Sequence, residues 1–302
     1  MPPKVTLVSS CYNHSRYIID HLESVRRQDY PNIEHIIIDD ASTDDSASLI
    51  EDWIESTGHS CVFIRNERNI GLCATLNKAL QISTGDFWAN VGTDDILPVD
   101  RTTIMSNFLR DNPNELMVAG DAAFINEEGD LFEFEGERYL FGALTNSDPL
   151  YREEYLGTFR GNFINCHIPT WMIRRSTFDI VGGFNEELMT EDWDLWLRIS
   201  DRRRIPFIMK RLMFYRRHGS NISGITHRMA WDRVRLRLGN YRAAKRHVER
   251  DLLRRIMIGE FHEFVSLPRS LSNLMMFLKS PARWIALLGI YDYLKNATKA
   301  RL

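Results

Sequence analysis

Cysteine is scarce in this chain: four among 302 residues, at positions 11, 61, 73 and 166, with no C-x-x-C pair. That usage excludes a disulfide scaffold and points to free thiols in a reducing compartment. Long apolar runs are missing too. The longest near the C-terminus, Trp284 to Tyr291, is far short of the roughly 20 residues that span a bilayer. Met1-Pro2-Pro3-Lys4 lacks the apolar core of a secretory signal. The expectation is a protein that is neither secreted nor membrane-spanning and works in the cytoplasm. No internal repeat or low-complexity tract occurs, and 17 Gly and 10 Pro exclude collagen-like or disordered composition. What is present, 44% hydrophobic and 26% charged residues over 302 positions, suffices for a full core in one large domain or one plus an appendage.

The net charge of −3 hides a strong polarity. Residues 1–200 hold 15 Lys and Arg against 34 Asp and Glu, a balance of −19, whereas residues 201–302 hold 23 against 7, a balance of +16. The basic part suits anionic material such as nucleic acid, lipid head groups or phosphorylated carriers, and the carboxylate-rich part could hold cations. Mutual neutralisation through surface ion pairs is the alternative.

Strand and helix patterns alternate over the first hundred residues. Val5 to Ser9, Ile33 to Ile38, Val62 to Ile64 and Phe87 to Val91 read as buried strands. Tyr17 to Arg27, Ser46 to Ile54 and Ala74 to Ile82 read as helices. Such alternation predicts a parallel α/β sheet. Its ligands lie at the carboxyl ends of the strands, which places Ser10 to Asn13, Asp39 to Asp44 and Thr93 to Asp95 along one rim. From Met117 to Trp171 the pattern suggests short strands and loops. Glu191 to Ser200 reads as a helix, Pro206 to Tyr215 contains a strand, and basic helix follows Ile225.

Three clusters could carry chemistry. Asp94 and Asp95 are adjacent carboxylates at a strand end, an arrangement that calls for a positive partner. A hard cation such as Mg²⁺ or Mn²⁺ fits; so does a helix cap before Pro98. Asp39-Asp40-Ala41-Ser42-Thr43-Asp44 could accept a hydrogen bond from a nucleobase or ribose, or Thr43 or Asp44 could cap the next helix. Thr190 reads as an N-cap that sets Glu191 and Asp192 in a first helical turn, where the dipole favours carboxylates. Trp193, Trp196 and Leu197 share one face and would anchor that turn. A rigid, ionised carboxylate there could be a general base, or merely a well-charged helix start. His218 follows a strand and reads either as a surface residue or as a ligand. Asn13, Asn221 and Asn296 begin N-x-S/T sequons, which mean little without a secretory signal.

Taken in order, these clusters resemble the family-2 glycosyltransferases. The matching residues run Val5 to Asn13, Tyr17-Ile18, Ile38 to Asp44, Asn69-Ile70-Gly71, Asn77, Gly85, Thr93-Asp94-Asp95, Gly182-Gly183-Phe184 and Glu191 to Arg198. The resemblance implies a GT-A fold, an α/β Rossmann-like, mostly parallel sheet flanked by helices. It would form a catalytic domain over residues 1–222, with a nucleotide-binding half (1–100) and an acceptor-binding half (101–222). A basic helical region would fill 223–302. It also implies roles. Tyr12 would stack on the base and Asp40 would bind its N–H, with Ser10 and Asp39 in the same nucleotide site. Asp94 would face the ribose, and Asp95 would bind Mn²⁺ or Mg²⁺ on the diphosphate. His218 would be a further metal or diphosphate contact, with Asp94 as the alternative ligand. Asp192 would be the base of an inverting transfer from a nucleoside-diphosphate sugar, with UDP first in family frequency, to a glycan or lipid-linked acceptor in surface-polysaccharide synthesis. Two departures stand out: Ser10-Cys11 where the family often has Pro-Thr, and Gly92 where many members have another Asp.

Residues 223–302 fall outside the resemblance. Their basic surface with Trp suits peripheral docking on the anionic inner face of the plasma membrane, or packing on the catalytic domain or a second subunit. The rival functions are a non-catalytic nucleotide-sugar-binding or assembly protein and a nucleic-acid binder. The acidic first 200 residues oppose the second. A dehydrogenase is weaker still, because no G-x-G-x-x-G follows the first strand.

Overall fold

A computed structural model of the chain describes residues 1–132, 170–189, 191–200, 202–203, 205–219 and 221. Apart from Leu188 and Met189, these belong to one compact unit. The boundary expected at 222/223, and the basic helices expected beyond it, lie outside the described residues. Among the described residues no helix is long and apolar enough to cross a membrane.

The expected alternation is present. Strands β1 (Val5–Cys11), β2 (Ile33–Asp39), β3 (Val62–Arg65) and β4 (Phe87–Gly92) are parallel, in the order β3-β2-β1-β4. Ile36, Ile37 and Ile38 are at most 1% exposed, because a parallel strand is covered on both faces and so reads as a continuous apolar run. Beyond β4 the sheet turns mixed. There β7 (Trp171–Arg174) runs antiparallel to β4 and to β5 (Met117–Ile125), β6 (Leu131–Phe132) antiparallel to β5, and β8 (Phe207–Arg216) parallel to β5. The region expected to hold only short strands thus contributes the nine-residue β5.

Helices cover both faces. On one, α1 (Ile18–Arg26), α2 (Ser46–Thr57) and α4 (Arg101–Asp111) bury Leu22, Ile50 and Met105 against the odd-numbered side chains of β1, Val5, Leu7 and Cys11. On the other, α3 (Leu72–Ile82), α5 (Thr177–Val181) and α6 (Glu191–Ser200) pack Leu76, Phe178, Leu195, Trp196 and Ile199 around Val8, Ile36 and Trp88. Of the aromatic face expected on α6, Trp196 is in this core. The side chains of Trp193 and Leu197, and all of Thr190, lie outside the described residues. Because α4 starts at Arg101, neither Asp94 nor Asp95 caps it.

Gly85 closes the turn into β4 where no side chain fits. A Cβ there would lie 2.7 Å from the Thr6 nitrogen and 2.8 Å from the Phe87 carbonyl oxygen, both backbone atoms that cannot swing away. Gly85→Ala is therefore expected to destabilise the fold by about 2 kcal/mol through overpacking. The signature is a lower urea midpoint with an unchanged slope.

Candidate active site

The register of the parallel strands sets three loops side by side. Cys11 pairs with Asp39 and Ser10 with Gly92, so the chain leaves β1, β2 and β4 at one rim, as the rule for open α/β sheets requires. The first two loops are latched together. The Asn13 amide donates to Ser42 Oγ (2.9 Å), the Thr43 amide to Asn13 Oδ1 (2.8 Å) and the Asp40 amide to the Cys11 carbonyl (2.8 Å). Asn13 and Ala41 both sit in the left-handed region, with φ of 57° and 58°, a strain of order 1 kcal/mol each that such latches hold in place. Asp44 accepts from the amides of Ser15 and Ser46, both at 3.0 Å. It braces the first residue of α2 from one position outside the N-cap, which is Asp45, so the helix is capped by neither Thr43 nor Asp44, contrary to the capping alternative. Tyr12 projects from the rim with 39% of its surface exposed, and the Ser10 hydroxyl donates to Asn90 Oδ1 at 3.1 Å.

The two aspartates at the end of β2 differ in their partners. Asp40 accepts three hydrogen bonds, from Asn66 Nδ2 (2.8 Å) and the amides of Ile70 (2.9 Å) and Gly71 (2.9 Å). Most of its acceptor capacity is spent holding the loop before α3. Asp39 is fully buried; its Oδ2 accepts from the Ser42 amide at 3.0 Å, while its Oδ1 has no hydrogen-bond partner among the described residues. A buried acceptor left open in this way is a group that a ligand N–H would satisfy.

The pair after β4 is divided in the same manner. Asp95 is 2% exposed; its Oδ1 accepts from the Arg216 amide at 2.8 Å and its carbonyl faces His21 Nδ1 at 2.9 Å. Desolvation first, then the neighbouring Asp94 charge, push its carboxyl well above the ordinary range. Asp94 faces the rim. Its Oδ2 lies 3.1 Å from His218 Nε2 and 3.3 Å from Asn221 Nδ2, and its Oδ1 4.0 Å from His14 Nδ1. Its pKa moves the other way: burial opposes the charge, but the His218 hydrogen bond and the nearby imidazoles outweigh it and hold the carboxylate low. Asp94 is thus the member of the pair that lines the rim, with its side chain 14% exposed, whereas Asp95 is turned inward onto the Arg216 amide. Gly92 contributes room, since a Cβ there would come within 2.7 Å of Asp94 Oδ1.

Arg216 was not singled out in the sequence, yet it organises this corner. Fully buried, it donates from Nε to the Asp94 carbonyl (2.9 Å) and from Nη1 to the Asn126 and Glu127 carbonyls (3.2 and 2.8 Å). Its guanidinium sits 4.9 Å from the centre of the Tyr17 ring, which in turn stacks at 4.7 Å on His218. His14 and Asn221 are likewise site neighbours that carry no local sequence signal.

Helix α6 brings Asp192, half-buried in its first turn beside Glu191. Glu191 is 3% exposed, and burial together with the Asp192 charge holds its carboxyl well above the usual range. The loop before α6 is strapped from two sides. Asn77 of α3 accepts from the Phe184 amide (2.8 Å) and donates to its carbonyl (2.9 Å). Arg198 donates to the carbonyls of Val181 (2.6 Å) and Gly183 (2.8 Å) and pairs with Asp194 at 2.7 Å. Gly183 permits this, since a Cβ would meet Asn77 Oδ1 at 2.6 Å.

The donor set fits a hard divalent cation. Asp94 and His218 offer an oxygen and an imidazole nitrogen 3.1 Å apart at one rim. Among the described residues no group of three His, Cys, Asp or Glu side chains is arranged around one point. Mg²⁺-type sites take few protein ligands and complete their shell with phosphate oxygens and water, so two suffice.

Comparison with known proteins agrees with this architecture. Putative glycosyltransferase EpsE of Bacillus subtilis is 30% identical over 202 residues, 66% of this chain and 67% of its own. The mannosyltransferase PcManGT from Pyrobaculum calidifontis, solved with GDP-Man and Mn²⁺, superposes with a TM-score of 0.62 at 18% identity, covering 100% of this chain and 81% of that one. S. aureus TarS 1–349 with UDP gives 0.61 at 19% identity, covering 88% and 73%; of a longer TarS chain, 44% is covered. At those identities the two structures speak to the fold. The model of the family described as Glycosyl transferase family 2 matches residues 6–181, which is more than half of the chain, so this protein belongs to that family and is a glycosyltransferase.

Proposed function

We propose that the protein transfers a sugar from a nucleoside-diphosphate sugar, UDP-linked by first choice, to a hydroxyl of a glycan or lipid-linked acceptor, with inversion and with a divalent cation. The observation that carries this reading is the divided acidic pair after β4, where Asp95 is turned inward onto the Arg216 amide and Asp94 faces His218 at the strand-end rim. Tyr12 offers its exposed ring to the base, and the open Oδ1 of Asp39 accepts a base N–H. Asp94, with His218 once their mutual hydrogen bond opens, would hold Mn²⁺ or Mg²⁺, and the cation would supply neutralisation of the charge that grows on the departing diphosphate. Asp192 takes the proton from the acceptor hydroxyl as that oxygen attacks the anomeric carbon from the face opposite the leaving group. A single displacement of this kind inverts the configuration. The UDP choice is supported by the TarS–UDP fold neighbour, whereas GDP-Man in PcManGT keeps guanosine donors in play. The balance of +16 over residues 201–302 supports docking of the C-terminal region on an anionic membrane surface.

The test is a thermal-shift panel of UDP, dTDP, GDP and CMP, each with Mn²⁺ and with EDTA. One nucleotide should raise the melting temperature in Mn²⁺ and not in EDTA. Ligand at a hundred times its Kd adds roughly 2.7 kcal/mol of stability, several degrees in a protein of this size. No shift with any nucleotide overturns the reading. Release of UDP from UDP-sugar then separates an enzyme from a binding protein of the same fold.

A further inference from the structure

Beneath the rim, on the face of the sheet covered by α1 and α2, four polar side chains form a continuous line that no step of the proposed transfer uses. Ser9 and His21 are fully buried and His35 is 2% exposed, while His59 is half-buried where the line reaches the surface beside Trp53. His21 Nδ1 lies 2.9 Å from the Asp95 carbonyl oxygen, and Ser9 Oγ lies 2.7 Å from His21 Nε2 and 2.8 Å from His35 Nε2. His35 Nδ1 lies 3.1 Å from His59 Nε2.

The hydrogens along this line have one consistent arrangement. A carbonyl oxygen only accepts, so His21 Nδ1 donates to Asp95. Burial holds the His21 pKa down to about 4, so the ring is neutral near pH 7 and its Nε2 is an acceptor. The Ser9 hydroxyl therefore donates to it. That hydroxyl has a single hydrogen, so His35 Nε2 must donate to Ser9 Oγ. His35, also held neutral by burial, then presents Nδ1 as an acceptor, and His59 Nε2 donates to it. In a neutral imidazole the hydrogen bond at one nitrogen fixes the state of the other. Without the Ser9 donor, His21 Nε2 loses its partner and only the Asp95 carbonyl is left to select the Nδ1–H form.

We propose that His59, His35, Ser9 and His21 act as a positioning relay that aims the Asp95 carbonyl and so fixes the turn presenting Asp94 to the donor. Asp95 is held from two directions, its carbonyl by His21 and its carboxyl by the Arg216 amide. The relay is the half of that clamp that runs along the face covered by α1 and α2, from the Asp95 carbonyl to His59 beside Trp53. Its functional consequence rests on the donor-binding role given to Asp94; its hydrogen arrangement does not.

Two measurements test it separately. Two-bond ¹H–¹⁵N correlation spectra of the ligand-free protein at neutral pH should show His21 protonated at Nδ1 only, and His35 and His59 at Nε2 only. His21 protonated at Nε2, or either buried ring doubly protonated, overturns the relay. The second is the affinity for UDP in the presence of Mn²⁺. His21→Leu keeps bulk but removes the donor and is expected to weaken binding about tenfold, the loss typical of second-layer partners. His21→Asn, whose amide can occupy the Nδ1 position, should retain affinity within about threefold. Should His21→Leu fail to fold, Ser9→Ala carries the test, with a loss of about threefold expected. Unchanged affinity in a folded His21→Leu or Ser9→Ala variant overturns the proposal. If the wild-type protein binds none of UDP, dTDP, GDP and CMP with Mn²⁺, the proposed function fails, while the tautomer spectra still decide the relay; if it binds another of the four in place of UDP, that nucleotide replaces UDP in the affinity test.

Discussion

Asp192→Asn is expected to lower kcat by about a thousandfold, within the range that general acid–base groups contribute, and to leave UDP affinity in Mn²⁺ within about twofold, since in the proposed scheme the residue acts on the acceptor oxygen and holds neither the base nor the diphosphate. The physical ground is the setting of Asp192 in the first turn of α6. That turn is fixed by Arg198 on the carbonyls of Val181 and Gly183 and by Asn77 on Phe184, and the helix dipole favours a carboxylate there. Glu191 cannot substitute, because it is 3% exposed and its carboxyl is held well above the usual range by burial and by Asp192 itself. Steady-state kinetics of UDP release and isothermal titration of UDP with Mn²⁺ check the two halves of the expectation. An Asp192→Asn enzyme that turns over at the wild-type rate removes Asp192 from the base role.

The second large effect separates two neighbours. Asp94→Asn is expected to weaken Mn²⁺-dependent UDP binding about a hundredfold, because it removes the charged oxygen at the rim. Asp95→Asn should leave it within about threefold, because a neutral carboxyl and an amide have nearly the same shape, and the amide oxygen can still accept from the Arg216 amide. The pH dependence supplies an independent check on Asp95. Its folded pKa is raised above the unfolded value, so its stabilising contribution is complete below the unfolded pKa and is lost as pH rises through the folded one. Asp95→Asn does not suffer that loss. In metal-free buffer its unfolding midpoint, relative to wild type, should therefore climb between pH 4 and pH 8. A difference that stays flat over that window shows Asp95 to titrate normally, and comparable losses of UDP binding in both variants assign the cation to the pair rather than to Asp94.

Both acidic pairs follow one rule that the linear sequence cannot express. Asp94-Asp95 and Glu191-Asp192 each look like two equivalent carboxylates, and in each the chain buries one and turns the other outward. Which of the two is buried depends on side-chain direction at a turn and on what arrives from distant strands. For Asp95 that arrival is the amide of Arg216, 121 positions away. The same holds for Asp39 and Asp40. The sequence marks both as candidates at a strand end, but only the loop of Asn66 to Gly71 folding onto Asp40 leaves the open acceptor on Asp39. The histidine line was invisible for a similar reason. Ser9, His21, His35 and His59 lie on β1, α1, β2 and the turn before β3, and nothing in their spacing indicates that they touch.

Much was nevertheless legible. The apolar runs Val5 to Ser9 and Ile33 to Ile38 announced buried parallel strands, since covering both faces demands continuous hydrophobicity. The polar residues placed after those runs marked the rim, because loops at strand ends are where an open α/β sheet exposes its ligand site. Local hydrophobic pattern thus determined the architecture, the edge of the sheet that carries the site and the residues eligible to act there. Tertiary structure decided which eligible carboxylate is buried, that Arg216 and His14 lie beside Asp94, and that β5, β7 and β8 complete the sheet. Charge state and partnership depend on burial and on atoms brought together over a hundred residues of chain, and those quantities exist only once the fold has formed.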